Sequence, residues 1–127
     1  KKGTLADDVV VSIQNVRPPA AKSSSDVVEQ ALTDLKRTLA QETEDFKIFE
    51  EISLTLILGN LKLSGRQIIV TYSYLGNRYR KWSILLPRPD DTIAHIWSYT
   101  APDKKFLNFH SIADTMLKSW IIQTDKG

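Results

Sequence analysis

The 127-residue sequence contains no cysteine. That excludes disulfides, thiolate nucleophiles and cysteine-based zinc sites together. Glycine and proline are scarce, five of each, so collagen-like and proline-rich segments are excluded. There are two histidines, His95 and His110, and they form no His-x-x-x-His pair. No P-loop, Gly-x-Gly-x-x-Gly turn, Gly-x-Ser-x-Gly elbow or EF-hand loop occurs. No apolar run approaches the ~20 residues that span a bilayer. The longest, Ile52 to Leu58, is interrupted by Ser53 and Thr55. The chain opens Lys1-Lys2-Gly3 without a methionine or a signal peptide, so the expectation is a processed or trimmed product, with any leader or membrane tether upstream.

What is present fits one folded domain. Hydrophobic residues make up 42% and charged residues 25%, with a formal net charge of +2. A chain of this length buries roughly two-thirds of its unfolded surface. Val9 to Val16 is β-branched and partly alternating, which predicts a strand. Arg17-Pro18-Pro19 ends it, and Ala20 to Ser25 is a small polar linker. Asp26, or Ser25, opens a helix to about Gln41, with Val28, Leu32, Leu35 and Leu39 at helical spacing. From Phe46 the period becomes two, with Ile52, Leu54, Leu56 and Leu58 on one side. Gly59-Asn60 predicts a turn. Leu61 to Leu63 is a short strand before Ser64-Gly65, or part of a wide turn. Gln67 to Leu75 and Arg78 to Leu86 predict two strands joined by a hairpin at Gly76-Asn77. Pro87 to Asp91 predicts a turn, and Thr92 to Ala101 a further strand closed by Pro102-Asp103. Phe109, Ile112, Ala113, Met116, Leu117 and Trp120 then mark a second amphipathic helix. Trp120 to Gln123 leaves it as a terminal strand in this reading.

This order predicts an α+β fold, a twisted antiparallel sheet with both helices packed on it in an α/β/α-type sandwich. The expected core is Val28, Leu32, Leu35, Leu39, Leu54, Leu56, Val70, Tyr72, Trp82, Ile84, Ile96, Ile112, Met116 and Leu117.

The titratable residues assemble no catalytic set. Glu42, Glu44, Asp45, Glu50 and Glu51 read as a solvated helix exit, and Asp90-Asp91 as a turn pair. His95 alternates with Ile93 and Trp97 on a strand, and His110 reads as a surface residue at a helix start. Without a paired acid, base and nucleophile the expectation is a non-enzymatic domain with no cofactor and no metal. Charge is distributed more informatively. Between Ile52 and Pro89 there is no acidic residue, against six bases: Lys62, Arg66, Arg78, Arg80, Lys81 and Arg88. The segment from Leu5 to Glu51 holds ten acids and five bases. A basic tip at Arg78, Arg80 and Lys81, with Arg66 and Arg88, is the candidate surface for an acidic protein partner. Two other readings stay open. One is a small-ligand pocket or weak hydrolase between sheet and helices at His95, Trp97 and Tyr99. The other is single-stranded nucleic-acid binding through Tyr79, Trp82 and the nearby arginines, although no recognition motif supports it.

The sequence of elements carries a resemblance. It rests on Val9 to Val16, Ser25 to Gln41, Gly65-Arg66-Gln67-Ile68-Ile69-Val70-Thr71-Tyr72, Gly76, Tyr99-Thr100-Ala101, Phe106 and Met116-Leu117-Lys118-Ser119-Trp120. In that order, from about Asp8 to Ile122, the chain resembles the PsbP-like and DcrB-like proteins, which share a fold with a nuclear import factor that binds the Ran GTPase. The family's Pro-x-Gly-Trp-type first strand is absent before Val9, which implies a single domain lacking that strand. The resemblance implies an accessory or assembly protein, such as an extrinsic photosystem II subunit, an envelope lipoprotein or a secretion-associated chaperone. It implies an extracytoplasmic location, in periplasm, cell envelope or thylakoid lumen. Metal-binding positions of the photosystem branch have no matching motif here and do not carry over.

Overall fold

The alternation of Val9–Val16 and the helical stripe of Val28, Leu32, Leu35 and Leu39 both reappear in the computed structural model of the chain. It describes residues 2–6, 9–19, 22, 24–58, 60–88 and 92–126, with the side chains of 2–6, 24, 25, 58, 61, 109 and 120–126 outside that description. The elements are β1 (Lys2–Ala6), β2 (Val9–Val16), α1 (Ser24–Glu42), β3 (Glu44–Leu58), β4 (Leu61–Tyr74), β5 (Asn77–Pro87) and β6 (Ala94–Pro102). Two short 3-10 turns, Asp103–Lys105 and Leu107–Phe109, lead into α2 (His110–Lys126). The strands form one sheet in the order β1-β2-β6-β5-β4-β3, antiparallel throughout. The fold is therefore α+β, an antiparallel sheet with two helices.

Side-chain alternation sends successive residues to opposite faces of a sheet, and here each face has its own helix. On one face Ile68, Val70, Tyr72, Leu85, Ala94 and Ile96 pack under Val27, Val28, Ala31 and Leu32 of α1. On the other, Val9, Val11, Trp82, Ile84, Leu86, Trp97, Tyr99 and Ala101 pack with Phe106 and with Ala113 and Leu117 of α2. Leu35 and Leu39 sit at the margin of the first cluster, and Leu54 and Leu56 at the margin of the second.

Local chemistry sets the boundaries. The Asp26 carboxylate accepts a hydrogen bond from the Lys22 backbone N–H (3.2 Å), reaching back across the start of α1, where negative charge is favourable. At the other end the Thr43 N–H donates to Leu39 O (3.0 Å). Asp45 then takes φ 52°, and the chain turns into β3. Asp tolerates that left-handed backbone better than most residues.

Several expectations change. A strand not read from the sequence, β1 (Lys2-Gly3-Thr4-Leu5-Ala6, not of the Pro-x-Gly-Trp type), precedes Val9 and pairs with β2. Ser64-Gly65 is no turn, because β4 runs through it. Gly65 is there for closeness: a Cβ would lie 2.3 Å from the Leu85 carbonyl oxygen and 2.8 Å from Leu86 Cδ2. The β4–β5 hairpin turns on Leu75-Gly76, one residue earlier than expected, with Tyr74 paired to Asn77. That register puts Tyr72 directly opposite Tyr79, and their rings stack at 5.8 Å. Ile112 and Met116 are not core: they are 47% and 39% exposed, because the described part of α2 meets the sheet through Ala113 and Leu117. The helix also continues to Lys126 where a terminal strand was expected. Gly59 and Pro89 to Asp91 of the expected turns lie outside the described residues, as do the side chains of Ser25, Phe109 and Trp120.

Gly65→Ala should therefore lower stability by about 1–3 kcal/mol, since the added methyl meets backbone that cannot rotate away. Urea unfolding should show a lower midpoint at unchanged slope.

Candidate protein-binding surface

Antiparallel pairing decides which of the basic residues share a surface. On β5, Arg78 and Arg80 project to the α2 side with Trp82, whereas Lys81 projects to the α1 side. Arg66 lies on the α1 side near the far end of the sheet, opposite Leu85. Arg88 follows β5, where its N–H donates to Ile93 O (2.9 Å). The five therefore do not form one patch.

Their partners separate them further. Arg66 bridges the Glu29 carboxylate of α1 (2.8 Å) and the Glu51 carboxylate of β3 (2.6 Å), and Lys36 also pairs with Glu51. This cluster ties α1 to the β3–β4 hairpin. Arg80 pairs with Asp103 (2.8 Å) and lies over the rings of Phe49 (4.6 Å) and Phe106 (5.6 Å), a cation–π arrangement. Arg78 donates to Thr71 Oγ1 (2.9 Å), with longer contacts to Ser73 Oγ and the Asp45 carbonyl oxygen (both 3.4 Å).

The tip gains charge from residues the sequence reading passed over. Tyr79 pairs with Pro102, so the turn Asp103–Lys105 returns beside the start of β5. An open cleft of about 510 Å3 results, lined by Asn77, Arg78, Tyr79, Pro102, Asp103, Lys104 and Lys105. Lys104-Lys105 directly after the strand-closing Pro102-Asp103 was the available signal, but it needed the β5–β6 register to acquire meaning. Apolar side chains stand exposed at the same end: Leu75 at 83%, Tyr74 at 49% and Phe49 at 64%. Leu75 also holds φ 51°.

The three residues expected to line a pocket have structural partners. Trp97 and Tyr99 are fully buried in the α2-side core. Trp97 meets Trp82 edge-on at 4.9 Å. The Tyr99 O–H donates to Phe106 O (2.6 Å), fastening the loop that carries Lys104 and Lys105, and burial pushes its phenol pKa up. His95 is half-buried and its Nδ1–H donates to Asn15 Oδ1 (2.6 Å). His110 is also half-buried, stacked on Trp82 at 4.9 Å. The described cavities lie elsewhere. Two adjoining troughs, about 470 and 590 Å3, run between α1 and the sheet and share Gln14, Thr38, Leu39, Glu42 and Lys81. Tyr72 borders the second, its phenol pushed up to about 12 by burial and then by Tyr79. The aromatic side chains proposed to stack on bases are engaged: Trp82 is 6% exposed and Tyr79 stacks on Tyr72. Among the described residues, no three His, Asp or Glu side chains converge as a metal set. The buried hydroxyls of Ser83 and Ser98 bond to each other at 2.8 Å.

Burial, and secondarily Arg88, lowers the His95 pKa below its ordinary 6.5. The unfolded chain then binds the proton more readily than the folded one, so this contribution to stability is complete above pH 6.5 and declines as pH falls through 6.5 toward the lowered value. Urea midpoints measured between about pH 7.5 and 5 should fall for the native chain, and more shallowly for His95→Gln.

No family model and no curated protein matches the chain. Among solved structures, its fold is similar to that of PA94 from Pseudomonas aeruginosa, a protein of unknown function described as a candidate regulator. The two are 11% identical, the match covers 92% of this chain and 76% of that one, and the TM-score is 0.67. The similarity at this identity is one of fold.

Proposed function

We propose that the chain is a non-enzymatic accessory or assembly domain that binds a protein with an acidic surface through the tip formed by the β4–β5 hairpin and the Asp103–Lys105 turn. The observation that carries this reading is Leu75. A left-handed backbone costs an ordinary residue roughly 1–2 kcal/mol, and a two-residue hairpin turn favours Asn-Gly at these positions. Here a leucine occupies the strained position with 83% of its surface exposed, gaining almost no burial in return. Strain kept at a solvent-facing apolar side chain points to a use outside the fold. Arg78, Lys104 and Lys105, in the cleft beside the start of β5, supply the electrostatic complement for an acidic partner.

The internal pairing of Arg66, Arg80 and His95 supports a binding rather than a catalytic role, as does the burial of Trp97 and Tyr99. The resemblance to PsbP-like and DcrB-like proteins supports the same reading, and from it come the proposed family and extracytoplasmic location. A second reading, small-ligand binding between helix and sheet, is favoured by the paired troughs along α1, with Lys81 and Glu42 common to both. It ranks lower because both troughs lie open to solvent.

The test uses two variants with the immobilised native chain as reference. Leu75→Asn should fold and gain about 1 kcal/mol, because Asn tolerates the turn geometry. A partner captured from the source cells should be bound at least about tenfold more weakly by Leu75→Asn, and by Lys104→Glu/Lys105→Glu, and its binding should weaken as salt rises. Capture unchanged by both variants would remove the tip from the account.

A further inference from the structure

Strand β3 ends the sheet, so one of its edges pairs with β4 and the other faces no described strand. The two halves of β3 treat this free edge differently. The first half is blunted in the ways sheet edges usually are. Register shifts between Glu44 and Lys47 and between Ile48 and Glu50 interrupt the ladder, and Glu44, Asp45, Lys47 and Glu50 line it with charge. The second half has none of these devices. From Glu51 opposite Ile68 to Leu58 opposite Leu61 the pairing advances one residue at a time without a shift. Ile52 to Leu58 contains no charge and no proline. Ile52 and Ile57 are 43% and 74% exposed, Ser53 and Thr55 are exposed, and Leu54 and Leu56 are half-buried. A straight row of backbone N–H and C=O groups with such side chains is specific for one kind of visitor, another extended strand.

The order of side chains indicates which strand. Ile52-Ser53-Leu54-Thr55-Leu56 reads apolar, hydroxyl, apolar, hydroxyl, apolar, the same chemical pattern in both directions. We infer that this segment pairs antiparallel with itself in a second copy of the chain, about a two-fold axis at Leu54, so that one sheet runs through both copies. Leu54 of one copy then faces Leu54 of the other, Ile52 faces Leu56, and Ser53 faces Thr55. Apolar side chains meet on the α2 side and hydroxyls on the α1 side. The nearest charge, Glu51, falls opposite Ile57 and is held within its own chain by Arg66 and Lys36, so no like charges are brought together. An unrelated partner's strand would place no demand for two-fold symmetry on this sequence, whereas a closed dimer does. The surface is separate from the hairpin tip, so the two readings stand or fall independently.

Sedimentation velocity over about 1–200 µM protein tests it, with circular dichroism confirming the fold of each variant. The native chain should dimerise with rising concentration. Ser53→Lys/Thr55→Lys sets lysines against lysines across the axis and should raise the dimer dissociation constant at least about tenfold. Ser53→Lys/Thr55→Glu keeps the same first lysine but sets it against a glutamate, and should bring the constant back to within a few-fold of native. Because the chain has no cysteine, Leu54→Cys should yield a disulfide-linked dimer on mild oxidation. A monomeric native chain throughout this range would overturn the inference. So would a double-lysine variant that dimerises like the native chain, a lysine–glutamate variant as weak as the double-lysine one, or a Leu54→Cys protein that stays uncrosslinked.

Discussion

Two neighbouring strands, β5 and β6, are apolar on both faces, and the rest of the molecule answers to that constraint. Trp82 through Pro87 are buried without interruption, and in β6 only His95 and Thr100 interrupt the burial between Ala94 and Ala101. A strand covered on both sides cannot lie at the rim of a sheet or beneath a single layer of helix. The chain meets the requirement by flanking the pair with β2 and β4 and placing α1 over one face and α2 over the other. Among the polar groups drawn into this interior, Ser83 is satisfied by Ser98 and the Tyr99 hydroxyl by the Phe106 carbonyl, whereas the buried indole N–H groups of Trp82 and Trp97 meet no hydrogen-bond acceptor among the described residues.

Part of the charge polarity of the sequence is consumed by the fold. Acids of α1 and β3 come to rest on Arg66, and Asp103 comes to rest on Arg80. Half-exposed pairs of this kind each contribute little to stability. Their effect is positional, since Glu29 and Lys36 both reach the β3–β4 hairpin and so orient α1 over it. Of the basic stretch only Arg78 borders the cleft at the tip, where Lys104 and Lys105 join it from the following turn, while Lys81 lies on the α1 side and Arg88 beyond the other end of β5.

Much of this was legible in the sequence, for a physical reason that also marks where legibility stopped. Val9–Val16, α1, the strand around Trp82, Ile84 and Leu86, and the strand ending Tyr99-Thr100-Ala101 each bury a face, so the buried period appears directly in the residues. Gly65 misled because a glycine that makes room for the Leu85 carbonyl looks the same as one that makes a turn. The hairpin was misplaced by one residue because a leucine at φ 51° contradicts local preference, and such a contradiction has no sequence signature. Ile112 and Met116 satisfied helical spacing, yet Ala113 and Leu117 make the contact, since periodicity gives the width of a stripe and not how much of it is covered. The site was less legible than the fold. Arg66, Arg78, Arg80, Lys81 and Arg88 are close in chain order, but the two faces and two ends of a sheet separate them. Lys104 acquires its place only from a long-range register.

The His110 ring lies nearly parallel to that of Trp82, at 13°, and Trp82 in turn abuts Trp97. The first residue of α2 thus forms the lid of an indole pair. Any event that lifts this helix would wet Trp82 while the strands beneath remain zipped. Intrinsic emission would then shift to longer wavelength ahead of the loss of β-sheet ellipticity, making the native chain its own optical gauge of helix docking.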